Sequence, residues 1–234
     1  MTFDRIAAFG DSWVWGDELV DPQLPNATAV SIENTPYRES NCFVGQVGQA
    51  LNVPVENLAI PGGSLQSTIW NYLWWLNNHT PNENVLVIVG LTDSGRVSWY
   101  NPNHLVCDND QPWNRYVHSA WARHTNCYDE PWQQLAKLHT GLSDCEKLWE
   151  LNYQQAVWFF HGQSLTRPLL QFNTLTNWQG NWPNSMIWPD TNLRHLLRFH
   201  TNCWCKGRHP NELGHQIIAR ALISQIESAI ITRC

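Results

Sequence analysis

Val85-Leu86-Val87-Ile88-Val89 is a run of consecutive apolar residues, mostly β-branched, bounded by Asn84 and Gly90. A run without alternation is a strand hidden on both faces, and such a strand belongs in the middle of a parallel sheet. Parallel neighbours require crossover connections, and the crossover helices cover the two faces of the sheet. The rest of the chain supplies these parts. Residues 3–9, 55–59, 84–90 and 168–173 read as strands, and residues 42–51, 64–78 and 144–163 read as helices. Asn211 caps a last helix, in which Ile217, Ile218, Ala221, Leu222, Ile226 and Ile230 recur at helical spacing. In the 64–78 helix, Ile69, Leu73 and Leu76 share one face, with Trp70 and Trp74 nearby. The expected fold is an α/β three-layer α/β/α sandwich around a parallel sheet of about five strands, flavodoxin-like in order. The chain is expected to form one domain over residues 1–234.

Three stretches do not fit the pattern. Residues 13–40 read as a loop, and 97–142 and 174–205 read as insertions after the third and fourth strands. Many of the 15 tryptophans sit in such Pro/Asn-rich segments. This suggests loop aromatics lining a groove at the C-terminal rim of the sheet.

With 20 acidic against 14 basic residues the net charge is -6, which argues against nonspecific binding to nucleic acid or an anionic membrane. No apolar stretch is long enough for a membrane span. No charged leader followed by an apolar core precedes the first strand, so a cytoplasmic or virion-associated protein is expected. Seven cysteines leave at least one unpaired if all oxidise within the chain. Three His-x-x-Cys pairs occur, His104/Cys107, His124/Cys127 and His200/Cys203 with Cys205 close by; the first two could supply four zinc ligands or a Cys107–Cys127 disulfide, but with so many histidines and cysteines such spacings arise easily by chance. No metal is assigned.

The chemistry begins at Phe9-Gly10-Asp11-Ser12, directly after the first strand. A serine there lies where open α/β sheets place their ligands, and a following helix N-terminus would offer amides to a developing negative charge. Further along come Asn57 to Ser64 with Gly62, then Gly90-Leu91-Thr92-Asp93, and finally Lys206-Gly207-Arg208-His209-Pro210-Asn211-Glu212-Leu213-Gly214-His215. These blocks, in this order, resemble the GDSL/SGNH hydrolase family. The opening Phe9-Gly10-Asp11-Ser12 with Gly16-Asp17-Glu18-Leu19 also looks like SGNH-like proteins of phages and marine microbes.

The resemblance implies a serine hydrolase acting on carboxylic esters, an esterase or carbohydrate deacetylase that needs no cofactor. Ser12 matches the nucleophile and His209 the base. The Ser12 and Gly62 amides match the oxyanion hole. Thr92 stands where the family has an asparagine donor, so its hydroxyl is the candidate third donor. Lys206 stands where the family has an aspartate, and an ammonium cannot accept a hydrogen bond from His209 Nδ1. A backbone carbonyl, water or Asp190 is left to do so. Asp11 and His215 read as structural. Arg96 reads as an ion-paired residue or as a clamp for an anionic substrate group, and Trp13 and Trp15 as flanks of the pocket. The expected partner is a small-molecule or glycan ester. A noncatalytic binding module on the same fold is the other reading, supported by Lys206 and Thr92. A binder of phosphate or sulfate esters through Lys206, Arg208 and Arg96 is a third.

Overall fold

The computed structural model describes residues 2–79, 83–100, 116–119, 145–175, 183–188 and 191–231. Its sheet contains β1 (Arg5–Phe9), β2 (Val55–Asn57), β3 (Val85–Leu91) and β6 (Leu169–Asn173). All pairings are parallel, in the order β2-β1-β3-β6. The helices are α1 (Ser12–Trp15), α2 (Thr35–Asn41), α3 (Phe43–Leu51), α4 (Leu65–Asn78), α5 (Cys145–Ser164), α6 (Leu193–Leu196) and α7 (Glu212–Ile231).

The apolar run in β3 is buried throughout and lies between β1 and β6, the central placement its composition requires. Alternate residues of β1 and β3 face opposite layers. Ile6, Ala8, Leu86 and Ile88 join Phe43, Val47, Ile218 and Leu222 from α3 and α7. Ala7, Phe9, Val87 and Val89 join Tyr72, Trp75, Tyr153 and Phe160 from α4 and α5. The result is an α/β/α sandwich with one core on each face of the sheet. Burial of each large apolar side chain in these layers contributes about 1.5–3 kcal/mol.

The buried face of α4 differs from the sequence-based expectation. It is formed by Leu65, Thr68, Asn71, Tyr72 and Trp75, while Ile69, Leu73 and Leu76 are only partly buried. Tyr72 and Trp75 pack edge-on against Phe9, at 5.3 and 5.7 Å between ring centroids. These rings bury more apolar area than the aliphatic side chains they displace from the seam, so the helix is turned toward them.

The 13–40 stretch also carries more order than a loop, holding most of α1, a 3₁₀ turn over Ile32–Asn34 and α2. Within the 97–142 insertion, β4 (Val97–Tyr100) and β5 (Tyr116–Ser119) pair antiparallel as a separate two-stranded sheet. The remainder of that insertion, and residues 176–182 and 189–190 of the second, lie outside the described residues. Among the described residues, no helix is long and apolar enough to cross a membrane.

This topology locates the site. The chain runs from β1 out to β2, then returns past β1 to β3. The order therefore reverses between β1 and β3, and the crevice beyond their C-terminal ends is where such sheets bind ligands. Gly10, whose φ is +150°, lets the chain turn at the end of β1, and both it and Gly90 in β3 leave room for Val14: a Cβ on Gly10 would lie 2.6 Å from Val14 Cγ2, and one on Gly90 would lie 2.4 Å from the same atom.

Candidate active site

Ser12 leaves β1 as the first residue of the one-turn helix α1, and it is 3% exposed. Asp11 caps that helix, its Oδ1 accepting from the Trp13 amide at 3.0 Å. Gly16 ends it in the left-handed region at φ +88°. The chain then folds back, and Glu18 is also left-handed, at φ +64°.

That reversal carries Glu18 to the loop before α7. Its Oε1 accepts from the Gly207 amide at 2.7 Å, and its Oε2 accepts from the His209 amide at 3.2 Å. Oε2 also lies 2.8 Å from His209 Nδ1, and His209 Nε2 lies 2.9 Å from Ser12 Oγ. A carboxylate only accepts, so the Nδ1 proton belongs in the Glu18 contact. Nε2 of the neutral ring is then left to accept from the Ser12 hydroxyl.

Burial works against the Glu18 carboxylate. The hydrogen bonds from the His209 side chain and from the Gly207 and His209 amides outweigh it and hold the group below the ordinary carboxylate range. Arg208, between these two amide donors, is left-handed as well, at φ +69°. Non-glycine residues in this region cost of order 1–3 kcal/mol each, and two of them, Glu18 and Arg208, frame this contact. Asp17 adds a second carboxylate, with Oδ2 3.7 Å from His209 Nε2.

The acceptor for His209 is therefore neither a backbone carbonyl nor water. Asp190 lies outside the described residues. Sequence reasoning missed Glu18 because it searched beside His209, in the positions where the resemblance leads one to look. A signal was available: once Lys206 rules out the usual seat, Asp17 and Glu18 are the acids nearest in sequence after Ser12. Gly207 is the matching half, since a Cβ there would lie 2.5 Å from Glu18 Oε2.

Thr92 requires a correction. Its hydroxyl is fully buried and donates to Asp11 Oδ2 at 2.7 Å. A hydroxyl has one proton, and this one is committed to a carboxylate, so it is not a third oxyanion donor. Asp11 Oδ2 also accepts from Thr174 Oγ1 at 2.9 Å and lies 3.5 Å from Arg96 Nη1. The buried Asp11 carboxylate thus ties the ends of β1, β3 and β6 together under Ser12, and its role is structural.

Arg96 is 6% exposed, and its Nη1 also approaches the Gly63 carbonyl at 3.4 Å. Of its two expected roles, the ion-paired one describes these contacts, although the side chain also borders a cavity beside His209. Trp15 is corrected too. The Arg38 guanidinium stacks 3.7 Å from its ring centroid and the ring packs against the core, so Trp15 is a structural residue. His215 is buried, with Nδ1 accepting from the Phe43 amide at 3.1 Å. Burial, with a smaller contribution from His209, pushes its pKa down to about 3, so it remains neutral.

Gly62 sits at φ +70° between Pro61 and Gly63, and the Gly63 amide donates to the Ile60 carbonyl at 2.8 Å. Proline followed by a left-handed glycine inside such a bond is the pattern of a type II turn. The Ile60 amide bonds to the Gly10 carbonyl at 2.9 Å, which holds this turn beside the β1–Ser12 corner.

A cavity of about 630 Å³ opens next to His209. Trp13, Trp204, Leu175 and four arginines are among its lining residues. Trp13 and Trp204 meet edge-on at 5.7 Å between centroids. Leu175, Arg194, Arg198 and Trp204 come from the second insertion, which in its described part therefore reaches the C-terminal rim. Among the described residues no group of three or more His, Cys, Asp or Glu could hold a metal ion, and Cys107 and Cys127 lie outside them.

No family model and no curated protein matches the sequence. Among solved structures, the chain is similar to a member of the lipolytic G-D-S-L family from Veillonella parvula, at 12% identity and TM-score 0.39, over 92% of this chain and 94% of that one. It is also similar to a mutant of an acetyl-xylooligosaccharide esterase from Geobacillus, at 12% identity and TM-score 0.45, over 96% and 94%. A third is an active-site mutant of a family two carbohydrate esterase from Clostridium thermocellum, at 12% identity and TM-score 0.37, with 98% of this chain matching 65% of that one. Overlaps this loose say nothing of substrate or chemistry, which must be read from the site itself.

Proposed function

We propose that this chain is a divergent GDSL/SGNH-type hydrolase that cleaves carboxylic esters through Ser12, His209 and Glu18. The observation that carries the reading is the continuous relay from Ser12 Oγ to His209 Nε2, at 2.9 Å, and from His209 Nδ1 to Glu18 Oε2, at 2.8 Å. A nucleophile, a base and an orienting acid at hydrogen-bonding distances are what acyl transfer needs.

Ser12 Oγ attacks the ester carbonyl as its proton passes to His209 Nε2. Glu18 holds the ring in the tautomer that can accept that proton, and its charge stabilises the imidazolium that results. The Ser12 and Gly62 amides donate to the oxyanion; each such donor is worth roughly 2.7–4 kcal/mol at the transition state. The tetrahedral adduct collapses, the C–O bond to the alcohol breaks, and His209 returns the proton to the leaving oxygen. Water then attacks the acyl-serine as its proton passes to His209, the acyl C–Oγ bond breaks, His209 returns the proton to Ser12 Oγ, and the carboxylic acid departs. Nothing in this cycle calls for a cofactor.

The binding-module reading drew on Lys206 and Thr92. Glu18 supplies the acceptor that Lys206 cannot, which removes the first reason. Trp13 and Trp204 at the cavity suit an aryl or sugar moiety, so a glycan ester fits the site.

The test is hydrolysis of short-chain 4-nitrophenyl esters by the wild-type protein and by Ser12→Ala and His209→Ala. Turnover by the wild type, reduced at least about a thousandfold in both variants, is expected. Equal rates in wild type and Ser12→Ala overturn the reading.

A further inference from the structure

The charge around the cavity runs against that of the chain. The protein carries a net charge of -6, yet Arg96, Arg194, Arg198 and Arg208 all line the hollow beside His209, and no acidic residue is among the lining residues that are described. Arg96 is engaged by Asp11. The other three are exposed, and among the described residues no ion pair to a carboxylate involves them. Arg194 and Arg198 are four residues apart on the turn that α6 begins, and the Arg198 amide continues it by bonding to the His195 carbonyl at 3.2 Å. That spacing sets both on one side. Arg198 is steadied by His195 Nδ1, 3.2 Å from its Nη1, and by the Phe199 ring, 4.3 Å from its guanidinium carbon. Arg208 immediately precedes the base. Of the nearby acids, Glu18 lines a separate hollow with Glu212, and Asp17, whose Oδ2 lies 3.7 Å from His209 Nε2, is not among the residues that line this cavity.

We infer that the site selects esters whose non-reacting part carries a fixed anionic group, a carboxylate or sulfonate-like oxyanion, held by Arg194, Arg198 and Arg208 while the ester carbonyl meets Ser12. This rests on the hydrolase reading above. Guanidinium groups offer paired N–H donors that match such oxyanions, and a concave site focuses their field where a flat surface would not. The two tryptophans then cover the apolar body between the charged end and the ester.

Matched substrates test this. Phenyl acetate is compared with 4-acetoxybenzoate and 4-acetoxybenzenesulfonate, which carry the anion on the alcohol. 4-Nitrophenyl butyrate is compared with the 4-nitrophenyl monoester of succinic acid, which carries it on the acyl group. The quantity read is the ratio of kcat/KM for the anionic over the neutral member. We expect a ratio of roughly ten or more in one of the two arms at low salt, collapsing toward unity at high ionic strength as the charges are screened. That arm tells which side of the ester faces the arginines. Each Arg→Gln exchange at 194, 198 or 208 should lower the ratio roughly two- to fivefold, and the triple variant about tenfold, mainly through KM.

Calorimetry with the Ser12→Ala protein separates binding from chemistry. 4-Hydroxybenzenesulfonate should bind, and phenol should bind at least about tenfold more weakly. Ratios near one in both arms, or a ratio that neither salt nor the triple variant changes, overturn the inference. If the wild type hydrolyses nothing but Ser12→Ala still binds the sulfonate through the three arginines, the anion site stands and the hydrolase reading falls.

Discussion

Glu18 lies six residues after Ser12 in the chain, yet it reaches His209 from the opposite side, its Oε2 2.8 Å from Nδ1 while Ser12 Oγ is 2.9 Å from Nε2. One short loop after β1 thus supplies both the proposed nucleophile and the proposed acid, with the proposed base brought between them by the loop before α7. Two left-handed turns make this possible: Gly16 closes α1, and Glu18 turns its carboxylate back onto Gly207 and His209.

Glu18→Gln should therefore lower kcat by about 10³–10⁴-fold, because an amide can donate to the ring and favour the wrong tautomer. KM should change little. Gly207→Ala should produce a milder loss of the same kind, since its new methyl would meet the carboxylate 2.5 Å away and must push it aside. Steady-state kinetics on a 4-nitrophenyl ester checks both; full activity in Glu18→Gln would remove the acid role.

Lys206→Asp should not raise activity. The seat that an aspartate would fill is occupied from the other side of the site by Glu18, and a second carboxylate beside it would cost repulsion. Activity at or below wild type is the expected outcome, and a several-fold gain would mean that Glu18 is not serving as the acid.

Thr92→Val should act on stability before it acts on chemistry. It removes a buried donor from the Asp11 carboxylate, for which about 1–3 kcal/mol is expected. Thermal or urea unfolding reads this directly. Thr92→Asn should fail to raise turnover, because position 92 faces Asp11 and not the oxyanion.

The acid side of the stability curve should carry the mark of His215. Its folded pKa is pushed down to about 3 from an ordinary value of 6.5, so the unfolded chain binds the proton first as pH falls. Its contribution is complete above about pH 6.5 and is lost as pH drops toward about 3, with a slope approaching about 1.4 kcal/mol per unit. Glu18, held below the ordinary carboxylate range, acts in the same direction at lower pH: its contribution is present above its unfolded value and disappears as acid protonates the folded group. His215→Gln, which retains an acceptor for the Phe43 amide, should flatten the upper part of this decline in urea titrations taken from pH 7 to pH 4. An unchanged slope would mean that another group is responsible.

The sheet was legible because its evidence is local. Val85 to Val89 can be little else than a central strand, and every sheet strand read from the sequence lies within two residues of its observed ends. That Ser12 and His209 meet, 197 positions apart in the chain, was legible through motif and order. Glu18 was not, because nothing in a sequence says that residue 18 folds onto residue 207; that depends on two backbone turns in a stretch that reads as loop. Thr92 was misjudged for a related reason. A motif position shows which block a residue occupies, but not that a buried carboxylate below it claims its only proton. Trp15 and the face of α4 failed on packing: an arginine covers the first, and the rings of Tyr72 and Trp75 turn the second.

The most direct measurement is labelling by an alkyl fluorophosphonate, followed by peptide mass spectrometry, in wild type, His209→Ala and Glu18→Gln. The account predicts a single adduct on Ser12 in the wild type, slower labelling in Glu18→Gln and almost none in His209→Ala. An adduct that forms on Ser12 equally fast without His209, or no adduct on Ser12 at all, would contradict a serine activated by this histidine and its glutamate.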